Sequence, residues 1–211
     1  MKKIAAGALC LLLLLSGCGK AAPGPEQVRE TYQNTLAAAR CRVRTYGGFC
    51  CEYLLELQEG EQGFSVTVLE PASVAGIRAE VAADGSTICY EDITLDALLP
   101  EPGGFAPADA LPCLLRQLRA ELPAGVGEVS TDRGQRLRLE YQTDLPDGTR
   151  AQKRIFLLPE SLFPESAELY LGGALQLTLQ MEEFSLTPRE PVASAPELWY
   201  TESVTAFVGR A

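Results

Sequence analysis

Most of this 211-residue chain alternates between apolar and polar residues with a period of two, which restricts it to β-strands. Between residues 41 and 93 the alternating stretches are short and separated by glycine-containing turns, such as Gly47-Gly48 and Asp84-Gly85. The pattern returns after residue 126 and is clearest where Leu175, Leu177 and Leu179 alternate with polar residues. Short strands joined by tight turns predict antiparallel pairing, and we count ten of them.

Two segments have helical spacing instead. Residues 26–39 form the first, with apolar residues every three to four positions and Pro25 placed for the first turn. The second lies between the fifth and sixth predicted strands, with Asp109 as its N-cap and Pro112 in its first turn. It carries a strongly apolar stripe composed of Leu111, Leu114, Leu115, Leu118 and Leu122. A helix this hydrophobic must be buried against other elements, so the chain is predicted to be α+β.

The first residues form a targeting segment. Two lysines, an apolar run of about a dozen residues and the small residues of Leu15-Ser16-Gly17-Cys18 follow one another in order. The run is too short to span a membrane, which needs about 20 residues. The segment resembles a lipobox, the signal of bacterial lipoproteins, and this implies cleavage after residue 17 and a thioether-linked diacylglyceryl group on Cys18. An ordinary secretory signal with an incidental cysteine is the alternative.

The domain organisation follows from these segments. Residues 1–17 are predicted to be a lipoprotein signal peptide, and residues 18–25 a lipidated tether that reaches at most about 25 Å. Residues 26–186 would form one folded domain, and residues 187–211 a proline-rich tail that ends in an amphiphilic stretch. Two or three acyl chains such as palmitate would hold the protein durably at a membrane, which one chain alone does not.

Composition excludes several classes of function. The chain has no histidine, which removes Ser-His-Asp and Cys-His catalytic arrangements and histidine-containing zinc sites. Its net charge of −10 disfavours nucleic acids and anionic headgroups. No spacing of carboxylates singles out a catalytic pair. We therefore predict a protein that is not an enzyme and uses no cofactor or metal.

The cysteines are not spaced as a metal or redox motif. Beyond Cys10 and Cys18 there are five: Cys41, Cys50, Cys51, Cys89 and Cys113. An odd number leaves at least one free thiol. Several can be small buried hydrophobic residues, and a disulfide from Cys41 to Cys50 or Cys51 is the alternative.

The order of elements resembles that of the lipoprotein carriers LolA and LolB and the related acyl-binding lipoproteins of mycobacteria. A helix, five strands, a Pro/Gly loop with a leucine-rich helix and five more strands cover residues 24–186. Residues 157–170 and 181–186 are similar to the family's final hairpin, where a turn from Pro159 to Pro164 leads to strands ending in Phe184 and Leu186. The resemblance implies a strongly curved antiparallel sheet, a half-open β-barrel, with the leucine-rich helix across its concave face.

This resemblance implies a lipid or another apolar ligand bound on the concave face and under the helix. The predicted ligand-binding residues are Leu111, Leu114, Leu115, Leu118, Leu122, Leu175, Leu177 and Leu179. A helix that only completes the core and never moves is the alternative. The chain also resembles the anchored germination lipoprotein GerS, which implies a protein of the same fold that partners a cell-wall or spore-cortex enzyme.

Both hypotheses place the protein outside the cytoplasm. The anchor would lie in the outer face of the cytoplasmic membrane of a monoderm bacterium or in the outer membrane of a diderm. Acyl chains or an envelope protein are the expected partners besides that membrane. In the second hypothesis, residues 198–208 of the tail could pair with a sheet edge, or could simply be a last strand.

Overall fold

One antiparallel sheet of eleven strands dominates the computed structural model, which describes residues 23–48, 50–82, 85–97 and 104–189. In chain order its elements are α1 Pro25–Gln33, β1 Thr35–Thr45, β2 Glu52–Gly60, β3 Gly63–Glu70, β4 Arg78–Ala82, β5 Ser86–Tyr90, β6 Ile93–Ala97, α2 Pro107–Ala120, β7 Gly125–Thr131, β8 Gly134–Asp144, β9 Arg150–Leu157, β10 Pro164–Leu171 and β11 Ala174–Pro188. The strand order is β6-β5-β4-β3-β2-β1-β11-β10-β9-β8-β7. The sheet is strongly curved and does not close, so the predicted α+β half-open barrel with two helices is confirmed.

The inner face of the sheet is a continuous apolar surface. Neighbouring strands are in register across the middle of the sheet, where Leu57 is opposite both Ala39 and Val66. On the other side of β1, Leu179 is opposite Val43 and Ala167. Directly opposed residues share a face, and all of these side chains are buried in one hydrophobic core with the apolar stripes of α1 and α2. Both helices therefore lie against the inner face.

The outer face of the central strands is charged. Arg40, Arg42 and Arg44 alternate along β1 with the buried Cys41 and Val43. Arg42 contacts Glu52, Glu70 and Glu182 on three different strands, at 3.3, 3.3 and 2.8 Å. The hydrogen bond from Arg44 lowers the pKa of Glu52. These pairs are exposed and each contributes little stability, but together they keep the outer face hydrated.

The predicted helix at residues 26–39 was too long. The helix ends at Gln33, and the alanine-rich segment that follows is strand β1. β1 lies between β2 and β11 and hydrogen-bonds to both along most of its length. Pairing on two sides outweighs the high intrinsic helix propensity of alanine, and the small inward side chains of Ala37 and Ala39 leave room beside the helices.

The predicted count of ten strands was one too few. β5 ends at Tyr90, and a turn at Glu91 and Asp92 leads into β6, which we had not separated from it. Glu91 has a φ of +52°, a left-handed conformation that a chain reversal requires. The helix α2 consequently follows the sixth strand rather than the fifth.

The cysteines among the described residues form no disulfide, so the alternative disulfide from Cys41 is absent. Only Cys41 is fully buried, where burial raises the pKa of its thiol to about 12. Cys50 and Cys51 are exposed, and Cys89 and Cys113 are half-buried. The expectation that several are buried hydrophobic residues therefore holds fully for Cys41 alone.

Gly63 lies where the backbone of β4 leaves no room for a side chain on β3. It begins β3 with a φ of +151°, opposite Ala82 of β4, and a Cβ there would collide with the carbonyl oxygen of Val81. We expect Gly63→Ala to lower the free energy of unfolding by about 2 kcal/mol, because backbone atoms must shift to make room. Urea denaturation of the full chain measures this.

Gly127→Ala is the matched control. Gly127 lies in β7, and a Cβ there would meet no atom within 4 Å. Its effect should stay within about 0.5 kcal/mol of wild type. Equal losses in the two variants would show that the close approach at Gly63 does not limit stability.

Candidate functional site

Helix α2 crosses the inner face of the sheet, where a binding site was predicted. It begins at Pro107, where a missing N–H is tolerated, and it contacts β1, β2, β3 and β4. Asp109, expected as the N-cap, lies in the first turn instead, and Ala106 occupies the N-cap position. The buried Asp109 carboxylate accepts a hydrogen bond from the Gly104 N–H at 2.6 Å, which fixes the segment that leads into the helix.

The leucine stripe of α2 is almost completely buried. Leu111, Leu114, Leu115 and Leu118 belong to the same core as Leu177 and Leu179 of β11, so the structure brings six of the eight predicted residues together. Leu175 is half-buried at the start of β11, and Leu122 is 57% exposed beyond the end of the helix. These six leucines fill the core in this conformation, and a role in ligand contact stays a prediction.

An ion pair fixes the C-terminal end of α2 to the sheet. Arg119 donates to both carboxylate oxygens of Glu59 at 2.6 Å, and also to the carbonyl oxygens of Tyr32 and Thr35. The Glu59 side chain is only 2% exposed and accepts a further bond from the Ala37 N–H at 2.9 Å. The bidentate geometry and the hydrogen bonds to both carboxylate oxygens offset the free-energy cost of removing this ion pair from water.

Helix α1 supports α2 from one side. Val28 and Tyr32 are buried in the core, and the Tyr32 hydroxyl donates to the Leu162 carbonyl oxygen at 2.7 Å. Burial raises the pKa of Tyr32 far above its usual value, so the phenol stays neutral. The two helices contact each other, and together they cover the middle of the inner face.

The inner face is apolar but uncovered at the β5–β6 end of the sheet. Tyr90, Ile93 and Leu95 are 44%, 59% and 61% exposed. Tyr90 pairs with Ile93, and Leu95 is opposite Ile88, which is itself opposite the buried Ala79 of β4. Since opposed residues share a face, these side chains continue the apolar surface of the core beyond α2. We call Ile88, Tyr90, Ile93 and Leu95 the open wing.

Apolar side chains are also exposed near the other edge of the sheet. Val126 of β7 is 43% exposed and opposite the buried Leu139, so it too lies on the inner face. Leu122 precedes it by four residues and is likewise exposed. The opening of the half-barrel therefore has apolar residues on both sides.

Two surface depressions lie elsewhere. One of about 640 Å³ is an open, polar groove at the β2–β3 turn, lined among others by Glu61, Ser65, Arg78 and Glu80. A smaller one of about 330 Å³ lies where β1, β2 and β11 meet. The leucines of α2 line neither, so these depressions are not the predicted ligand site.

The predictions about metal sites, membrane-spanning segments, the lipidation site and the tail can be compared with the structure only where it describes the chain. No group of three or more potential metal ligands occurs among residues 23–189 as far as they are described. Within the same part of the chain, no helix is long and apolar enough to cross a membrane. The lipidation site Cys18 and the tail segment 198–208 lie outside the described residues.

Comparison with known proteins gives similarities of shape only. No protein-family model and no curated protein matches the chain. Among solved structures, it is similar to a LolA superfamily protein from Nitrosomonas europaea, with 13% identity, a TM-score of 0.41 and coverage of 80% of this chain and 96% of that one. An uncharacterised conserved protein from Thermus thermophilus has 14% identity and a TM-score of 0.48, with coverage of 80% and 93%. A putative outer membrane lipoprotein-sorting protein domain from Vibrio parahaemolyticus has 11% identity and a TM-score of 0.43, with coverage of 77% and 91%.

Sequence reasoning missed the open wing and the ion pair. The alternation of Ile93 and Leu95 with Thr94 and Asp96 was visible, but not that α2 would leave this strand uncovered. Glu59 looked like an ordinary turn residue, since it is 60 positions away from Arg119. Only the tertiary structure brings the two together.

The ion pair predicts a specific loss of stability. We expect Arg119→Met to lower the free energy of unfolding by about 3 kcal/mol, because it removes the main partner of a buried carboxylate. Arg116→Met, one turn earlier on the exposed side of the same helix, should change it by about 0.5 kcal/mol or less. Urea denaturation of both variants measures the difference, and similar losses would mean that the Arg119–Glu59 pair does not fix the helix.

Proposed function

We propose that this chain is a non-enzymatic lipoprotein, held outside the cytoplasm by Cys18, that binds an acyl chain or another apolar ligand on the inner face of its half-barrel. The observation that carries the proposal is the open wing, where large apolar side chains extend the core surface into solvent. A contiguous exposed apolar patch on a soluble domain usually marks a binding surface. The half-barrel supplies the concave shape that such ligands need.

The negative charge of the chain limits the kinds of ligand that it can attract. With a net charge of −10, it offers little attraction to anionic headgroups. Binding would therefore come from the apolar part of the ligand, at about 25 cal/mol for each Å² of apolar surface removed from water. An acyl chain seated along Ile93 and Leu95 would meet the covered core at Ala79 and Val81.

The position of the anchor supports the same assignment. The predicted tether ends at Pro25, where α1 begins, and α1 lies on the inner face of the sheet. The six residues between Cys18 and this helix would keep the inner side of the domain within about 25 Å of the bilayer. A ligand leaving the membrane would thus meet the open side of the half-barrel.

A protein partner is the second candidate function. β6 is an edge strand, and its apolar inner side is exposed, so the strand of a partner could extend the sheet there. A GerS-like partner of a cell-wall or spore-cortex enzyme would use such an edge. Binding of an acyl probe by the purified protein separates the two candidates.

We expect the full chain to bind a fluorescent long-chain acyl probe saturably. Replacing both Ile93 and Leu95 by aspartate should weaken binding at least tenfold, or by about 1.4 kcal/mol, because charged groups would face the ligand. Fluorescence titration measures the affinity. Both positions are more than half exposed, so the variant should fold normally.

Thr94→Asp is the matched control. Thr94 lies on the same strand but faces the outer side, opposite Cys89. It should leave probe binding unchanged. Absence of saturable binding by the wild-type chain, or equal losses in both variants, would contradict ligand binding at the open wing and leave the partner hypothesis.

The anchor is tested separately. A clickable palmitate analogue should label the wild-type chain in cells and fail to label Cys18→Ala, because the modified thiol is then missing. Cys10→Ala, within the predicted signal peptide, should be labelled like wild type. Labelling of Cys18→Ala would contradict the assignment of the lipobox.

A further inference from the structure

Lys153 is an unusual residue in this protein. The chain has 18 basic residues, of which only four are lysines, at positions 2, 3, 20 and 153. Lys153 is therefore the one lysine beyond the predicted tether, and arginine serves every other basic position there. It lies on β9, faces the inner side and is 6% exposed. Lysine is among the residues least often buried, so this position differs from the other basic positions of the domain.

The neighbours of Lys153 in the sheet are core residues. Its register partners are Tyr141 on β8 and Leu169 on β10, and both belong to the core. Lysine differs from arginine in that its nitrogen can lose a proton and then react as a nucleophile. The Nζ atom of Lys153 therefore has a chemistry that the arginines of this chain lack.

The atom that Nζ contacts is the thiol sulfur of Cys113 on helix α2. The Nζ–Sγ distance is 2.9 Å, as short as a usual N–H···O bond although sulfur is the larger atom. The residues are 40 positions apart, so the contact joins α2 to β9. The residue Cys113 is half-buried rather than fully enclosed.

Gly104 closes over this pair. A Cβ at Gly104 would lie 3.0 Å from Nζ and 3.1 Å from Sγ, so only glycine allows the backbone to pass so near. The Gly104 N–H is held by Asp109, and the ring of Phe105 lies 6.0 Å from Nζ. The segment before α2 thus confines the amine and the thiol in one small space.

We propose that Cys113 and Lys153 are a site of oxidative crosslinking, in which one oxygen atom joins Sγ to Nζ as an S–O–N bridge. Molecular oxygen is the oxidant. One thiol, one amine and one O₂ give the bridge and one water: an S–H and an N–H bond break, S–O and O–N bonds form, and both protons leave on the second oxygen atom. O₂ takes up four electrons, two from sulfur and two from nitrogen. The overall stoichiometry is the same whether the shared proton is initially on sulfur or on nitrogen.

Proximity favours the reaction of Lys153 with Cys113 over its reaction with any other cysteine. Groups held in contact react as if at very high concentration, and the other cysteines lie in different parts of the chain from this lysine. Burial raises the pKa of Cys41, which keeps that thiol unreactive. Cys89 contacts the Thr94 hydroxyl at 3.7 Å. The bridge would tie α2 covalently to β9, whatever ligand or partner the inner face binds.

The test is the intact mass of the full chain, purified in air or under a dithiol reductant. One oxygen gained and two hydrogens lost raise the mass by about 14 Da, a product distinct from the sulfenic, sulfinic and sulfonic acids. The gain should disappear on reduction, which returns the thiol, the amine and one water. In a tryptic digest, the gain should join residues 79–116 to residues 151–154, with cleavage after Lys153 blocked.

Matched variants make the result specific. Cys113→Ser and Lys153→Arg should both lose the 14 Da gain, whereas Cys89→Ser should keep it. A wild-type mass that stays at the reduced value in air would overturn the proposal. So would oxygen addition to Cys113 alone in both wild type and Lys153→Arg. A crosslink between the two tryptic peptides at about 2 Da below their summed mass would also overturn it, because residues 151–154 contain no cysteine and such a link is a direct N–S bond. If Lys153→Arg does not fold, the position of the gain in the wild-type digest decides the question.

Discussion

The apolar inner face of an open, curved sheet has to be covered by other elements, and this requirement determines the architecture of the protein. Eleven strands present buried residues such as Leu57, Val66 and Leu179 to one side, and the sheet never closes to enclose them. Helix α2 supplies the cover with five residues that are at most 2% exposed. Burial of apolar surface is the largest favourable term in folding, so the helix is held in place first by this contact and only then by polar bonds.

Two polar contacts that join α2 to the sheet differ in kind. Arg119 and Glu59 form a bidentate pair near the C-terminal end, with both oxygens of the carboxylate engaged. Towards the N-terminal end, Lys153 reaches Cys113 from the sheet. An arginine holds its charge under all conditions, while an amine and a thiol can change their bonding. The first contact is thus a fixed attachment, and the second is one that chemistry can alter.

The cover is incomplete, and the incompleteness is what gives the fold a surface to use. α2 contacts β1 to β4, but the inner side of β5 and β6 remains apolar and exposed. In the proposed function, an apolar ligand would bind at this rim without unfolding the core. The arginine–glutamate network on the outer face of β1 keeps that side of the sheet hydrated.

The sequence by itself determined the fold class, the leucine helix, most of the strands and the exclusion of histidine chemistry. Alternation, glycine turns and the Leu111–Leu118 stripe are local signals, and each depends on residues a few positions apart. Only the tertiary structure determined the features that depend on contacts between residues far apart in the chain. Residues 35–39 became a strand because β2 and β11 pair with them, and the turn at Glu91 and Asp92 formed a sixth strand whose apolar side α2 does not reach. Arg119 and Glu59, or Cys113 and Lys153, meet only after the sheet has curved, because 60 and 40 residues separate them along the chain.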